Sequence, residues 1–164
     1  MRVPYVRMTG GCQCGAVRYA FEGDPQLVAL CHCRMCQKAT GSVAWPFFTA
    51  LREDLSWTRG QPALYRSSAA AQRGFCIRCG TPLIFDPDGE ATVDVGVATL
   101  DNPAAMAPAA QYWVGSRVPW FDNLAGLPVA GLGDKLPDHE VARRRPFQHP
   151  DHDTDHWPPT GVGQ

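Results

Sequence analysis

The chain of 164 residues, 45% hydrophobic and with a formal net charge of -1, is long enough for one ordinary core and short for two. That balance excludes a disordered solvating chain and a polycation built for non-specific nucleic-acid binding, and leaves small molecules or proteins as partners. No apolar run approaches the roughly 20 residues that span a bilayer, and residues 1–10 lack a continuous apolar signal segment, so no membrane partner is expected and the default compartment is the cytoplasm.

From Met8 to about Pro128 the chain reads as short strands punctuated by turn residues, with very little helical periodicity, which predicts an all-β (mainly β) fold. Strands are predicted over residues 16–21, 27–30, 42–49, 64–67, 83–85, 91–100 and 111–114, each rich in Val, Tyr, Phe, Trp or Thr and bounded by Gly, Pro, Asp or Asn. Asp86-Pro87-Asp88-Gly89 has the residues of a tight reversal, so its flanking strands form a hairpin, and in the second of them Val93, Val95 and Val97 alternate onto one face. The Ala-rich stretch 102–110 is broken by Pro103 and Pro108 and reads as a connector with at most one helical turn. Two regions follow: a domain over 1–130, and an irregular tail or strap over 131–164, crowded with Pro, Gly, Asp, His and Arg and poor in residues to bury.

Seven cysteines cannot close a disulfide framework, and a reducing compartment would leave them as thiols; thiols this clustered hold metal. Zinc takes about four soft ligands in a tetrahedron, so ligands must arrive in local pairs. Cys76-Ile77-Arg78-Cys79 is a Cys-x-x-Cys knuckle, with Gly80 where the turn needs a positive φ. Cys12-Gln13-Cys14 is a shorter pair, whose alternate positions point to one side of an extended backbone. Together the two pairs complete a closed structural site. Cys31-His32-Cys33-Arg34-Met35-Cys36 offers three thiolates within six residues and no obvious fourth, which leaves an open position of the catalytic kind. At this stage Cys36 could equally join the structural site, leaving another cysteine free. A three-thiolate zinc acidifies water poorly but suits a soft thiol as fourth ligand, so the favoured chemistry is thiol activation toward a carbonyl or another electrophile.

Three segments resemble the glutathione-dependent formaldehyde-activating enzyme family, a domain that also occurs in centromere protein V. They are Gly10-Gly11-Cys12-Gln13-Cys14-Gly15, the run from Cys31 through Cys36 to Ser42, and the run from Arg73 through Cys76 and Cys79 to Leu83. The segment Gly96-Val97-Ala98-Thr99-Leu100-Asp101 and the segment from Ser116 to Asp122 fit as well. The resemblance implies several coiled antiparallel sheets in a β-tent-like arrangement with short helical turns. It implies two Zn2+ per chain: a structural zinc on Cys12, Cys14, Cys76 and Cys79, and a reactive zinc on Cys31, Cys33 and Cys36. The implied reaction is that of a carbon-sulfur lyase, addition of glutathione or a related small thiol to formaldehyde or another small aldehyde, giving S-hydroxymethylglutathione in the named case.

Around the triad, Arg34 and Lys38 are candidates to pair with substrate carboxylates, against a plain role offsetting the zinc-thiolate charge. Gly41 and Ser42 are candidate donors to a developing oxyanion, against a simple turn. His32 reads as a surface or hydrogen-bonded residue rather than a ligand. Trp45, Phe47, Phe48, Tyr112, Trp113, Trp120 and Phe121 read mostly as core, and His139, His149, His152 and His156 as solvated tail residues rather than a metal set. Two other functions compete: a non-catalytic zinc module that binds a thiol or a protein, and redox sensing by the triad.

Overall fold

Strand alternation decides this fold, because Phe47 and Phe48, adjacent in one strand, are both buried yet belong to different apolar clusters. The computed structural model describes residues 7–130, 136–144 and 146–158. Ten strands run in order: β1 (Met8–Gly11), β2 (Arg18–Phe21), β3 (Leu27–Cys31), β4 (Trp45–Leu51), β5 (Leu55–Arg59), β6 (Ala63–Ser68), β7 (Ala71–Phe75), β8 (Pro82–Pro87), β9 (Thr92–Gly96) and β10 (Ala110–Tyr112). Helix α1 (Arg34–Thr40) separates β3 from β4, and α2 (Asp138–Arg143) lies near the C-terminus.

The strands form two sheets, one of three strands in the order β1-β2-β5 and one of seven in the order β10-β3-β4-β9-β8-β7-β6. All pairings are antiparallel, as the resemblance implies, except β10 with β3, which is parallel. The residues before β10, including a 3-10 turn at Pro103–Ala105, provide the crossover that a parallel pair requires. Tyr19 and Phe21 of β2 pack against Phe48, Ala50, Leu83, Val93 and Val95 of the large sheet, and this cluster is the main core. Phe21 and Phe48 meet at 5.0 Å between ring centroids. Burying each such ring contributes about 2–3 kcal/mol. On the other face of the large sheet, Ala29, Cys31, Cys36, Trp45 and Phe47 form a second cluster.

Five strands and helices escaped the sequence reading, among them α2 (Asp138–Arg143), which interrupts a stretch expected to be irregular. Strands β1 and β7 are short and carry polar or glycine residues, as in Ala71-Gln72-Arg73-Gly74-Phe75, so propensity gives them little signal, whereas β5 (Leu55-Ser56-Trp57-Thr58-Arg59) has strand-forming Trp57 and Thr58 but only five residues. Helix α1 has only seven residues, too few to display a 3.6 period. The predicted strand 91–100 ends at Gly96, where a 3-10 turn over Val97–Thr99 takes over. The aromatic set also divides: Trp45, Phe47 and Phe48 are buried, whereas Tyr112, Trp113 and Trp120 are exposed.

Part of the predicted strap, residues 131–135, 145 and 159–164, lies outside the described residues. The remainder includes α2, held by Glu140 against Arg143 at 2.9 Å, and residues 146–158, which fold back onto the first cysteine loop. There the His149 N–H donates to the Gln13 carbonyl at 2.8 Å, and Trp157 Nε1 donates to the Cys14 carbonyl at 2.8 Å. Gly15 accepts this approach because it has no side chain; a Cβ there would stand 2.3 Å from His149 and 2.6 Å from Trp157. Arg18, only 3% exposed, is clamped by both Asp101 oxygens at 2.7 and 2.6 Å and by Asp153 of the returning segment at 2.8 Å.

Candidate metal centre

Tight turns at the ends of β1 and β7 bring the first and last cysteine pairs together. The Cys12 N–H donates to the Val17 carbonyl and Gly15 N–H to the Cys12 carbonyl; at the second loop Gly80 N–H donates to the Cys76 carbonyl, with Gly80 at φ +77°. The Thr81 hydroxyl joins the loops, accepting from Gln13 N–H at 3.1 Å and lying 3.2 Å from Cys79 Sγ. As a result the sulfurs of Cys12, Cys14, Cys76 and Cys79 lie within 4.8 Å of one another. Cys12 and Cys14 are 3.6 Å apart and Cys14 and Cys76 3.8 Å. A tetrahedron with metal-sulfur distances of about 2.3 Å has edges of about 3.8 Å, so the four sulfurs fit a zinc-sized ion and stand far outside disulfide length.

The second group, Cys31, Cys33 and Cys36, also has its sulfurs within 4.8 Å. Cys31 closes β3, and Cys33 caps α1: its sulfur accepts from the Cys36 N–H at 3.3 Å, which fixes the helix start and turns Cys36 inward. Gly41, in the left-handed conformation at φ +66°, ends the helix with its N–H on the Gln37 carbonyl. Buried Gln37 ties the helix down, its Nε2 donating to the carbonyls of His32 at 2.8 Å and Ser116 at 3.1 Å. His32 is fully buried between the ligand candidates; its Nε2 pairs with Gln111 Oε1 at 2.9 Å, its ring lies perpendicular to that of Phe121 with centroids 4.7 Å apart, and its Nδ1 has no hydrogen-bond partner among the described residues.

Packed sulfurs cannot all ionise alone. Burial pushes the Cys12 thiol up to about 12, and likewise Cys36 to about 12, where the Arg73 guanidinium opposes the rise. One sulfur in each group goes the other way. Against burial, the Thr81 hydroxyl and N–H bring Cys79 down to about 6, and, again against burial, the Cys36 N–H and neighbouring thiols hold Cys33 below the ordinary thiol value. A divalent cation between the sulfurs removes the mutual repulsion that keeps their neighbours protonated. Both groups could therefore hold a metal ion, and their all-sulfur donor sets are consistent with zinc.

The triad opens onto a cavity of about 500 Å³, whereas the four-cysteine group is wedged into the main core. The cavity floor is a cross-strand row: Leu27 pairs with Thr49, Thr49 with Asp94, Asp94 with Phe85 and Phe85 with Arg73. Trp45 and Phe47 extend it, stacked at 5.4 Å. Burial raises the Asp94 carboxyl above its ordinary value, while the Thr49 hydroxyl, donating to its Oδ1 at 2.7 Å, opposes the rise. Trp113 stands at the mouth, 70% exposed and at φ +56°, a conformation uncommon for a bulky residue.

Of the predicted contacts, Arg34 lines this cavity with its Nη1 on Gln37 Oε1 at 2.5 Å. Lys38 lines a second cavity of about 520 Å³, which shares Met35, Trp45 and Arg73 with the first. Gly41 and Ser42 line neither, sitting at the helix end with Ser42 N–H toward Thr40 Oγ1 at 3.4 Å. Sequence reasoning missed Arg73, Asp94 and Thr49. Alternation around Val93 and Val95 signals only that Asp94 faces away from the main core, and nothing local indicates that the opposite face is covered.

A β-rich fold carrying one cysteine group in its core and another at a cavity defines a β protein with two distinct sulfur clusters, each of which could hold a metal ion. Residues 7–116 match the family described as Glutathione-dependent formaldehyde-activating enzyme, and the chain belongs to that family. It is 26% identical over 110 residues to a Halomonas elongata protein named as a candidate glutathione-dependent formaldehyde-activating enzyme, an alignment covering 62% of this chain and 70% of that one. Its fold is similar to the crystal structure of a Rhodobacter sphaeroides protein, with a TM-score of 0.51 and 26% identity over 63% of this chain and 99% of the other. Among the described residues, no helix is long and apolar enough to cross a membrane.

Proposed function

We propose that this protein is a carbon-sulfur lyase-type enzyme that adds glutathione or a related small thiol to formaldehyde or another small aldehyde, with the cavity beside Cys31, Cys33 and Cys36 as the reaction site. The observation that carries this reading is the meeting of three clustered sulfurs, all lining it, with an apolar-walled cavity of about 500 Å³, whereas of the four-cysteine group only Cys12 reaches a cavity, a smaller one of about 220 Å³. The family description and the name of the Halomonas relative support the choice of thiol and aldehyde.

Zinc held by Cys31, Cys33 and Cys36 would supply an open coordination position with affinity for a soft thiolate. Everything else falls to the chain. Trp45, Phe47 and Phe85 form an apolar wall that limits water around the reacting aldehyde. Asp94 offers a proton for the oxygen that gains charge as the carbon-sulfur bond forms. Burial moves its pKa above the ordinary carboxylate value, the direction a proton donor needs, and Thr49 engages only its Oδ1. The proton lost by the incoming thiol restores that carboxyl, so the addition balances without a further reagent. The remainder of a peptide-like thiol extends past Met35 and Trp45 into the second cavity, where Lys38 is available to a carboxylate. In the same reading Cys12, Cys14, Cys76 and Cys79 hold a structural zinc, and a set of seven thiols suits a reducing compartment such as the cytoplasm.

The test is exchange NMR on glutathione and formaldehyde at equilibrium with their adduct. The zinc-loaded chain should raise the interconversion rate above the spontaneous one, and Cys33→Ser should remove the increase without unfolding the protein. Thiol binding with an interconversion rate equal to that in buffer would leave the non-catalytic binding module as the better description.

A further inference from the structure

We propose that Arg73 is a positioning residue of the triad, supplying the positive charge that allows a fourth, anionic sulfur to join three cysteine thiolates; this rests on the reading of the triad as a thiol site. Arg73 lies in β7, is only 9% exposed, and donates from Nη2 to Cys36 Sγ at 3.3 Å. Its guanidinium is held by rings, 4.8 Å from the centroid of Phe85 and 5.8 Å from that of Trp45, and it lines both cavities.

A buried cation ordinarily has a carboxylate partner, as Arg18 has in Asp101 and Asp153. Arg73 makes no ion pair among the described residues. Asp94, two strands away across Phe85, feels its charge but spends Oδ1 on the Thr49 hydroxyl. The anionic partner of Arg73 is therefore the sulfur group itself.

The charge count explains why such a cation belongs there. Three thiolates around a divalent ion carry a net charge of -1, and a fourth thiolate would bring it to -2 in a poorly solvated cavity. Arg73 offsets one of those charges, and its N–H on Cys36 draws density from a sulfur that would otherwise give more to the metal. Packing alone does not require this residue: a methionine would fill the space between Phe85 and Trp45 as well, but could neither donate to Cys36 nor carry charge.

The experiment uses the full chain loaded with cobalt(II), whose sulfur charge-transfer absorption reports the arrival of a fourth sulfur. Three probes are titrated: glutathione, 2-mercaptoethanol, which lacks carboxylates, and imidazole, which binds as a neutral ligand. Arg73→Met should weaken both thiols about tenfold, the scale of one partly screened charge contact, while leaving imidazole unchanged. Arg73→Lys should recover most of the loss. Arg73→Gln, which keeps a donor without the charge, should behave like Arg73→Met and stands in for it if that variant does not fold. Unchanged thiol affinity in the neutral variants would overturn the role of Arg73 and leave the thiol site intact, as would an equal loss for imidazole or a loss that lysine does not recover. Absence of any thiol-dependent band in the parent protein would instead remove the thiol site, and this inference with it.

Discussion

Cys76 and Cys33 are chemically alike and differ in what surrounds them. Cys76 is 1% exposed and packs in the same cluster as Tyr19, Phe48 and Val95, whereas Cys33 is partly exposed at a helix start beside a cavity. Metal energy at a closed sulfur site is folding energy, so Cys76→Ser should lower the melting temperature by more than about 10 °C or prevent soluble expression. Cys33→Ser should stay within about 4 °C of the parent, a shift equivalent to roughly 1 kcal/mol. Thermal melts of the two variants check this, and equal losses would contradict it. Asp101 supplies a second contrast at the same scale. Burial raises its carboxyl, but the two Arg18 bonds and the Thr9 hydroxyl win and hold it below the ordinary value of 3.8. The folded state therefore binds fewer protons than the unfolded state below about pH 4, so the contribution is complete above that pH and is lost as pH falls through the depressed folded value. Asp101→Asn leaves Arg18 buried with Asp153 alone and should cost about 3–5 kcal/mol. Urea midpoints measured from about pH 2 to 5 should fall less steeply in the variant than in the parent. The cysteines were legible one residue at a time because their chemistry is local. Arg73, Thr49 and Asp94 were not, since they become neighbours only through the register of four strands, which no spacing along the chain encodes.

Among the elements, the segment 146–158 lies beyond the family match at 7–116, yet touches the loop that carries Cys12 and Cys14. Its composition, rich in Pro, Asp and His, indicated a strap; which of its residues would be buried was not readable, because His149 is indistinguishable in sequence from the exposed His152. In the structure His149 is 3% exposed, with Nε2 3.0 Å from Thr154 Oγ1, and Arg59 donates to the Thr154 carbonyl. Among the described residues no group of tail histidines is placed to share a metal. Helix α1 shows the same limit: its start is set by a cysteine sulfur acting as cap and its end by Gly41, signals that sequence rules assign first to metal and to turns. Deleting everything after residue 145 removes Asp153 from Arg18 and Trp157 from the Cys14 carbonyl. The truncated chain should be about 1–3 kcal/mol less stable by denaturant unfolding, the range for one charge-assisted bond and the packing around it. It should also expose Gly15 to faster amide exchange. A truncated chain with parental stability and Gly15 protection would show the segment to be resting on the domain without supporting it.

At the scale of the whole molecule, the seven-stranded sheet is a partition. The four-cysteine group lies on its core side between the ends of β1 and β7, which belong to different sheets, while the three-cysteine group lies on the other face and comes from one stretch of six residues, Cys31 to Cys36. Releasing an ion from the first requires two loops from two sheets to separate, which opens the core that holds Phe21 against Phe48. Release from the second requires only entry to a cavity already open to solvent and movement of a contiguous turn. The opening free energies therefore differ: the first approaches that of global unfolding, and the second that of local motion. With zinc in both groups, a strong chelator should remove one equivalent at least about tenfold faster than the other, since every 1.4 kcal/mol of opening free energy is a factor of ten. Far-UV circular dichroism should be unchanged through the first equivalent and collapse with the second, because only the second is tied to the core. Stopped-flow chelation with a chromogenic indicator, read alongside circular dichroism, separates the two phases. Cys33→Ser should abolish the fast phase and leave the slow one. A single phase releasing both ions as the fold collapses would mean that the sheet does not insulate one sulfur group from the other.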